Sequence, residues 1–290
     1  MLDLAGHNVG FLNSISGGNY EATIVEQEMG QDNIVKKNVS TIKPTEFKAK
    51  MGIGLGKGMY EWIQLAFLKK FEHRSGAVTA ADFDFKATST LTFNDALITG
   101  VTVPKLDGSS KENCYFDLTW DAESISHAKA GGESLKSKIA TKQKAWVASN
   151  FKLEIDGMPC KTCAVIESFT WKCAVTRDFQ GETQWAPIAP AKVTVPNVKF
   201  QIGYREHEEW QKWAKEWFVD GKRKDDNEKN GRIVFLGPDQ KEELGHIELI
   251  HCGLAKFEDA ESKANAETIK RFTVELYVEE MKFVLNYVDA

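Results

Sequence analysis

The chain has 290 residues, 42% apolar and 27% charged, which is typical of soluble globular proteins and leaves room for two ordinary domains. The net charge of −5 argues against a nucleic-acid binder, and no apolar run reaches the roughly 18 residues of a membrane helix. The first residues resemble no secretory signal, and an odd number of cysteines, five, indicates reduced thiols. We expect cytoplasmic assembly, no sequence-specific nucleic-acid binding and no direct membrane insertion.

The first half of the sequence predicts short strands and one helix. Leu2 and Leu4 alternate with polar residues before Gly6, and two later strands meet at Gly17-Gly18. The polar segment 30–44 predicts a long loop. The strands expected here cover residues 2–4, 8–16, 20–28, 47–51, 78–85, 88–93, 97–103 and 114–120, and a helix carrying Trp62 follows the strand at 47–51.

The second half predicts the same series of elements. Leu153 and Ile155 alternate before Gly157, and the segment 178–196, which contains three prolines, predicts a second long loop. The strands expected here cover residues 153–155, two strands within 162–178, and then 198–202, 233–236, 245–254 and 271–284. A helix follows residue 203, because Trp210, Trp213, Ala214 and Trp217 recur at the spacing of one helical face.

An internal repeat relates the two halves. Residues 47–67 align with residues 198–218 at an offset of 151, as 213 − 62 gives for the tryptophans. The identical pairs are Lys48 and Lys199, Gly52 and Gly203, Trp62 and Trp213, and Phe67 and Phe218. Towards the end of each half the offset becomes 156, with Phe116, Leu118 and Trp120 opposite Phe272, Val274 and Leu276. The sequence therefore predicts two tandem copies of one structural module.

Strands in runs, rather than strands alternating with helices, argue against a parallel α/β sheet. The predicted fold class is mainly β with one packed helix per module, arranged as two tandem antiparallel β-barrel domains. The expected organisation is a first module at 1–125, a linker at 126–150 and a second module at 151–290. The linker carries Gly131-Gly132 and five lysines, and we expect it to be partly helical between Leu135 and Trp146.

No group of residues predicts catalysis, cofactor binding or metal binding. Cys160 and Cys163 form a CxxC between two strand patterns, with no helix N-terminus and no second ligand pair, so redox or zinc use is not expected. The glycine-rich segment from Gly52 to Gly58 has no Ser or Thr after its lysine, although a phosphate loop requires one there. His207 does not begin an HExxH motif, because residue 211 is Gln211. The tryptophan stripe could bind a sugar or a base, but helical spacing is more typical of a core.

Each module resembles the tail-tube fold of contractile phage tails and of the type VI secretion tube. The resemblance rests on the opening strand that ends at Gly6 or Gly157, the long segment 30–44 or 178–196, the strand 47–51 or 198–202, and the helix with Trp62 or Trp213. It implies six-membered rings that pair sheet edges between neighbours and stack into a tube around a channel. Two modules in one chain depart from that pattern, and three chains would then supply six modules.

The expected function is that of a non-enzymatic structural protein of a phage tail or phage-like contractile injection system. Its rings, built from three chains, would stack into an inner tube, with sheath, baseplate or spike proteins as partners and a virion tail or injection particle as location. One alternative is a trimeric hub or adaptor ring that joins the tube to the baseplate. Another is a two-domain β-barrel protein that binds a ligand through its aromatic side chains. The sequence leaves open the kind of machine, the channel cargo, the sheath and any role of Cys160 and Cys163.

Overall fold

A computed structural model of the chain describes residues 1–28, 35–54, 56–135, 146–181, 184–259 and 270–286. The strands of the first half, residues 1–150, are β1 (Leu2–Leu4), β2 (His7–Gly10), β3 (Ser14–Ser16), β4 (Tyr20–Glu28), β5 (Val35–Pro44), β6 (Phe47–Met51), β7 (Arg74–Ala81), β8 (Ala87–Val103), β9 (Leu106–Asp107), β10 (Phe116–Asp121) and β11 (Ser124–Lys129). Helix α1 (Lys57–Phe67) lies between β6 and β7.

The strands of the second half, residues 151–290, are β12 (Phe151–Ile155), β13 (Cys163–Ile166), β14 (Phe169–Arg177), β15 (Ile188–Thr194), β16 (Val198–Gly203), β17 (Lys229–Leu236), β18 (Glu243–Glu258) and β19 (Arg271–Leu285). Helix α2 (His207–Phe218) lies between β16 and β17. In the described part of the chain, no helix, α1 and α2 included, is long and apolar enough to span a bilayer.

The same order of strands occurs in both halves. One sheet runs β2-β1-β7-β8-β10-β6-β3 and the other runs β12-β17-β18-β19-β16-β13-β9, while β4 and β5 form a separate two-stranded sheet. The strand pairs are antiparallel, and the sheets include a half-barrel. The predicted fold class, mainly β with few helices, is confirmed.

A matched irregularity lies in the longest strand of each half. Asp95 in β8 has φ 48° and His251 in β18 has φ 53°, a left-handed conformation that is uncommon for residues other than glycine. The backbone N–H of Asp95 donates to Ser75 Oγ, and the N–H of His251 donates to Asn230 Oδ1, both at 3.1 Å. Both residues lie at bulge positions that bend the long strands, so the repeat extends to backbone geometry.

A matched pair of glycines brings two strands close together beside each bulge. A Cβ at Gly76 would lie 2.5 Å from the carbonyl oxygen of Asp3, and a Cβ at Gly231 would lie 2.6 Å from the carbonyl oxygen of Glu154. Gly76 pairs with Leu4 of β1, and Gly231 pairs with Ile155 of β12. Any side chain at either glycine would push the first strand of that half away from the sheet.

Each helix buries one face against the sheets. Trp62 of α1 is buried, donates its indole N–H to the carbonyl of Glu72 at 2.9 Å, and lies 6.4 Å from the ring of Trp120. Trp213 of α2 is buried beneath the ammonium of Lys229, which lies 5.3 Å from its ring centroid. The predicted burial of both tryptophans is confirmed, and the stripe belongs to the core.

Two segments expected to be long loops contain strands. Residues 35–44 form β5, which pairs with β4 along its length, so this part of the segment 30–44 is the second strand of a hairpin, and residues 30–34 lie outside the described residues. Residues 188–194 form β15, which pairs with β14, although Pro190 lies within it. The strand expected at residues 20–28 is confirmed as β4. β5 is exposed along most of its length, which leaves no alternation of buried and exposed residues to mark it as a strand.

The region expected to be a linker begins inside the sheet. β11 pairs with β8 from Ser124 to Lys129, and Leu135 and Trp146 are both buried. The helix expected between Leu135 and Trp146 falls on residues 136–145, which lie outside the described residues. The two strands expected at 88–93 and 97–103 are one strand, β8, because the bulge at Asp95 bends it without ending it.

We predict that Trp62→Ala and Trp213→Ala each lower the free energy of unfolding by about 3–5 kcal/mol, because each removes a large aromatic ring from the core. Urea unfolding of the single variants at matched chain concentration measures the loss. Val219→Ala, which removes an exposed side chain directly after α2, is the control and should change stability by less than about 0.5 kcal/mol. Wild-type stability in either tryptophan variant would contradict the prediction.

Candidate assembly surfaces

Backbone pairing joins the two halves of the chain directly. Strand β8 of the first half pairs with β14 of the second, with Val103 opposite Phe169 and Gly100 opposite Lys172. The short strand β9 pairs in the same way with β13. We call these two pairings and the side chains around them the internal junction. It is a sheet edge of one repeat completed by a strand of the other, which satisfies backbone N–H and C=O groups that an open edge would leave unpaired.

Three aromatic side chains form the apolar centre of the internal junction. Phe67, the last residue of α1, stacks on Trp171 of β14 with ring centroids 5.0 Å apart and on Phe283 of β19 at 5.9 Å. Phe67 is 2% exposed and Trp171 is 1% exposed. The first helix therefore packs against the second half of the chain as well as against its own sheet.

Polar side chains complete the internal junction. The hydroxyls of Thr102 and Thr170 lie 2.9 Å apart across the paired strands. Arg177 donates to the carboxylate of Asp121 and, at 2.8 Å, to the carbonyl of Ala122. Burial raises the pKa of Asp121, and the Arg177 guanidinium opposes the rise. Because the ion pair is largely buried, we expect it to fix the position of β14 more than to add stability.

The repeat counterpart of β14 lies on the surface. At the offset of 151, β14 corresponds to residues 18–26, most of which form β4, and the hairpin β4–β5 pairs with no other strand among the described residues. Five large apolar side chains of this hairpin are exposed: Tyr20, Ile24, Val25, Val35 and Val39. We call this surface the exposed hairpin. Exposed apolar side chains that cluster on one element are typical of an interaction surface.

Among the described residues, the repeat counterpart of the β8 edge also has no strand in the place of β14. At the offset of 156, the residues of β8 that pair with β14 correspond to the end of β18, at Lys256 and the residues after it. β17 pairs with β18 only as far as Cys252, and beyond that point the described strands include one neighbour of β18, β19. We call this the open edge of β18. The chain thus carries one completed junction and the two separate parts of a second.

The residues that sequence reasoning considered for chemistry do not converge on one site in the described chain. Cys160 is buried before β13, and Cys163 is the first residue of that strand. Burial raises the pKa of Cys160 and that of Cys252 to about 12, and burial also raises the pKa of Cys163. His207 begins α2 and is buried beside Phe272. Burial of Cys160, Cys163 and Cys252 disfavours the thiolate form on which cysteine chemistry depends.

One group of side chains, considering only the described residues, has metal-ligand character. The ligand atoms of Glu228, His251 and Glu279 lie within 4.8 Å of one another. The carboxylate of Glu228 already accepts hydrogen bonds from Tyr277 at 2.6 Å and contacts His251 Nδ1 at 3.0 Å. The Glu228 side chain is thus engaged inside the protein, and the group carries no functional assignment.

We predict a large difference between two phenylalanines that the sequence aligns. Phe67→Ala should lower the free energy of unfolding of the dilute chain by about 3–5 kcal/mol, because it empties the centre of the internal junction. Phe218→Ala should lower it by less than about 1 kcal/mol, because Phe218 is 41% exposed. Chemical denaturation of the two variants side by side measures the difference, and equal losses would contradict this assignment of the junction.

We predict that the native cysteines react slowly. At pH 8, iodoacetamide should label Cys160, Cys163 and Cys252 in the folded chain at least about tenfold more slowly than in urea, because burial keeps these thiols protonated. Mass spectrometry of the labelled peptides gives the rate for each residue. Labelling of Cys160 or Cys163 at the unfolded rate would indicate an accessible, reactive pair.

Comparison with solved structures finds parts of contractile injection systems. A chain of the extended sheath-tube complex of the extracellular contractile injection system PVC is 19% identical, with a TM-score of 0.38 over 44% of this chain and 88% of that chain. The tube-terminating cap of the anti-feeding prophage is 10% identical, with a TM-score of 0.43 over 53% of this chain and 99% of that chain. A chain of the 6-fold symmetrised baseplate of the anti-feeding prophage is 12% identical, with a TM-score of 0.36 over 50% of this chain and 94% of that chain.

No protein-family model matches the chain, and a comparison with curated proteins finds no match. The similarity to tube, cap and baseplate structures of contractile injection systems thus covers between 44% and 53% of this chain, with TM-scores from 0.36 to 0.43.

Proposed function

We propose that the protein is a structural component of a phage tail or phage-like contractile injection apparatus, in which three chains close into a ring and rings stack into an inner tube. Within the particle its partners are further copies of itself and the sheath, baseplate or spike proteins that the tail-tube resemblance implies. The proposed role is architectural and involves no catalysis.

The internal junction is the observation that carries this proposal. It pairs β8 of one repeat with β14 of the other, while the exposed hairpin and the open edge of β18 are the same two parts without their partners. The two parts lie on different repeats, so the hairpin of one chain can complete the β18 edge of another. A head-to-tail contact of this kind repeats from chain to chain and closes a ring when its rotation divides the circle.

The number of chains in the ring follows from the two repeats in each. The tail-tube resemblance implies six modules around the channel, and three chains with two modules each supply them. Such a ring has true threefold symmetry and approximate sixfold symmetry, with internal junctions alternating with junctions between chains. The modules proposed here are residues 1–125 and 151–290, and β11 extends the sheet of the first module to Lys129.

The alternative of a two-domain ligand-binding protein finds less support. That hypothesis depends on an aromatic surface, and the best candidate in the sequence was the tryptophan stripe of α2. Trp210, Trp213 and Trp217 are all buried against the sheets. The Trp210 indole N–H also donates to the carbonyl of Pro159 at 2.8 Å, inside the protein. The stripe therefore offers no face to a sugar or a base.

We predict that the purified chain forms closed rings of three. Native mass spectrometry should give three chains per particle, and electron-microscopy averages viewed along the axis should show a ring with six similar lobes. Stacked tubes would favour the inner-tube role, and single rings that cap a tube or baseplate would favour the adaptor role. Six chains per ring, a closed pair of chains, or monomers at every concentration would overturn the proposal.

A further inference from the structure

We propose that Phe218 at the end of α2 docks against Tyr20 and His127 of a second copy of the chain. This contact reproduces the one that Phe67 makes with Trp171 and Phe283 inside each chain. The inference rests on the proposed function, because it names the side chains at the junctions between chains in the ring. Tyr20 and His127 of the receiving copy are called the aromatic acceptor below.

The repeat assigns a counterpart to each member of the internal aromatic contact. Phe218 follows Phe67 by 151 residues, and Trp171 follows Tyr20 by the same 151. Phe283 follows His127 by 156, the offset that holds for the late strands. As in the internal contact, one counterpart, Phe218, lies at the end of a helix. The other two, Tyr20 and His127, lie on strands of the other repeat.

Strand register confirms these counterparts independently of the sequence alignment. His127 of β11 pairs with Leu91 of β8, and Phe283 of β19 pairs with Ile247 of β18. Leu91 and Ile247 are themselves 156 residues apart. Before β4 and β14, Ile15 pairs with Ala49 and Ile166 pairs with Phe200, which fixes the offset of 151 on that side.

Exposure separates the two sets of residues. Phe67 and Trp171 are almost fully buried at the internal junction, whereas Phe218 is 41% exposed and Tyr20 is 56% exposed. Tyr20 and His127 already face each other edge to face, with ring centroids 5.7 Å apart. The aromatic acceptor is therefore formed in the single chain. Trp185 of the same chain also stacks on Tyr20, with ring centroids 6.0 Å apart, and Tyr20 is still 56% exposed, so part of its ring remains open to a second copy.

Backbone and charge fit the same docking. Gly100 pairs with Lys172 at the internal junction. The counterpart of Gly100 is Lys256, 156 residues later, and the counterpart of Lys172 is Glu21, 151 residues earlier. The same pairing between chains therefore places Lys256 of one chain opposite Glu21 of the next. Opposite charges on directly facing strand residues are favourable. The pairing of Val101 with Trp171 becomes Phe257 opposite Tyr20, an aromatic pair. The exposed hairpin and the open edge of β18 thus match in charge and in apolar character.

The docking has a direction that a cross-link can detect. Phe218 and the open edge lie on the second repeat, whereas the aromatic acceptor lies on the first. The contact therefore joins unlike surfaces, and residue 218 of one chain meets residue 20 of the next, never residue 218 of another copy.

The test uses the full chain with Tyr20→Cys and Phe218→Cys together, oxidised under conditions in which the wild-type chain stays uncross-linked. We expect disulfide-linked species of two and three chains on a non-reducing gel. The two single variants should remain single chains, because neither has a partner thiol in reach. The matched control combines Tyr20→Cys with Phe83→Cys, because Phe83 is fully exposed but lies in the β7–β8 turn, outside the proposed contact. The control should give no linked species.

A second measurement tests how much the aromatic side chain of Phe218 contributes to assembly. Phe218→Ser should reduce the fraction of chains in closed rings at least about tenfold at fixed concentration, as loss of a central aromatic anchor does. Phe83→Ser should leave that fraction unchanged. Rings that form normally in Phe218→Ser, or that carry no link between residues 20 and 218, overturn the inference and leave the proposed function standing. Absence of rings in the wild-type chain overturns the proposed function.

Discussion

Pairing of strands from different repeats is the constraint on which the rest of the structure depends. A strand edge leaves unpaired N–H and C=O groups, and β8 satisfies those at its end only because β14 comes from the other half of the chain. That pairing positions Trp171 beneath the end of α1, and Phe67 then closes over it. The edge of the first repeat is therefore completed by the second repeat of the same chain. In the proposed ring, the next chain would complete the open edge of β18 in the same way.

Much of this fold could be predicted from local sequence patterns. Alternating apolar residues identified β6 and β16, and the spacing of Trp210, Trp213 and Trp217 identified α2. The constant offset between the halves predicted that Trp62 and Trp213 are equivalent core residues, and both are buried. These features depend on residues close together in the chain, whose periodicity reflects which side faces the core.

The parts that escaped prediction depend on distant partners. β5 and β15 are strands because of the hairpins they complete, and their own exposed or proline-containing sequences resemble loops. Nothing near Phe67 or Phe218 distinguishes a buried ring from an exposed one, because the difference is whether a strand from the other repeat lies against it. The junction, and with it the candidate assembly surfaces, therefore became visible only in three dimensions.

The covalent link between repeats changes how such a ring can be built. Six separate modules would lose translational and rotational freedom in five successive encounters, whereas three joined pairs do so in two, and each encounter carries its own entropic cost. The internal junction forms at the high effective concentration set by its tether, so it is complete before any encounter occurs. Nucleation of a ring then depends on a lower power of protein concentration. A fused repeat of this kind favours closed particles in dilute conditions, where separate modules would remain apart.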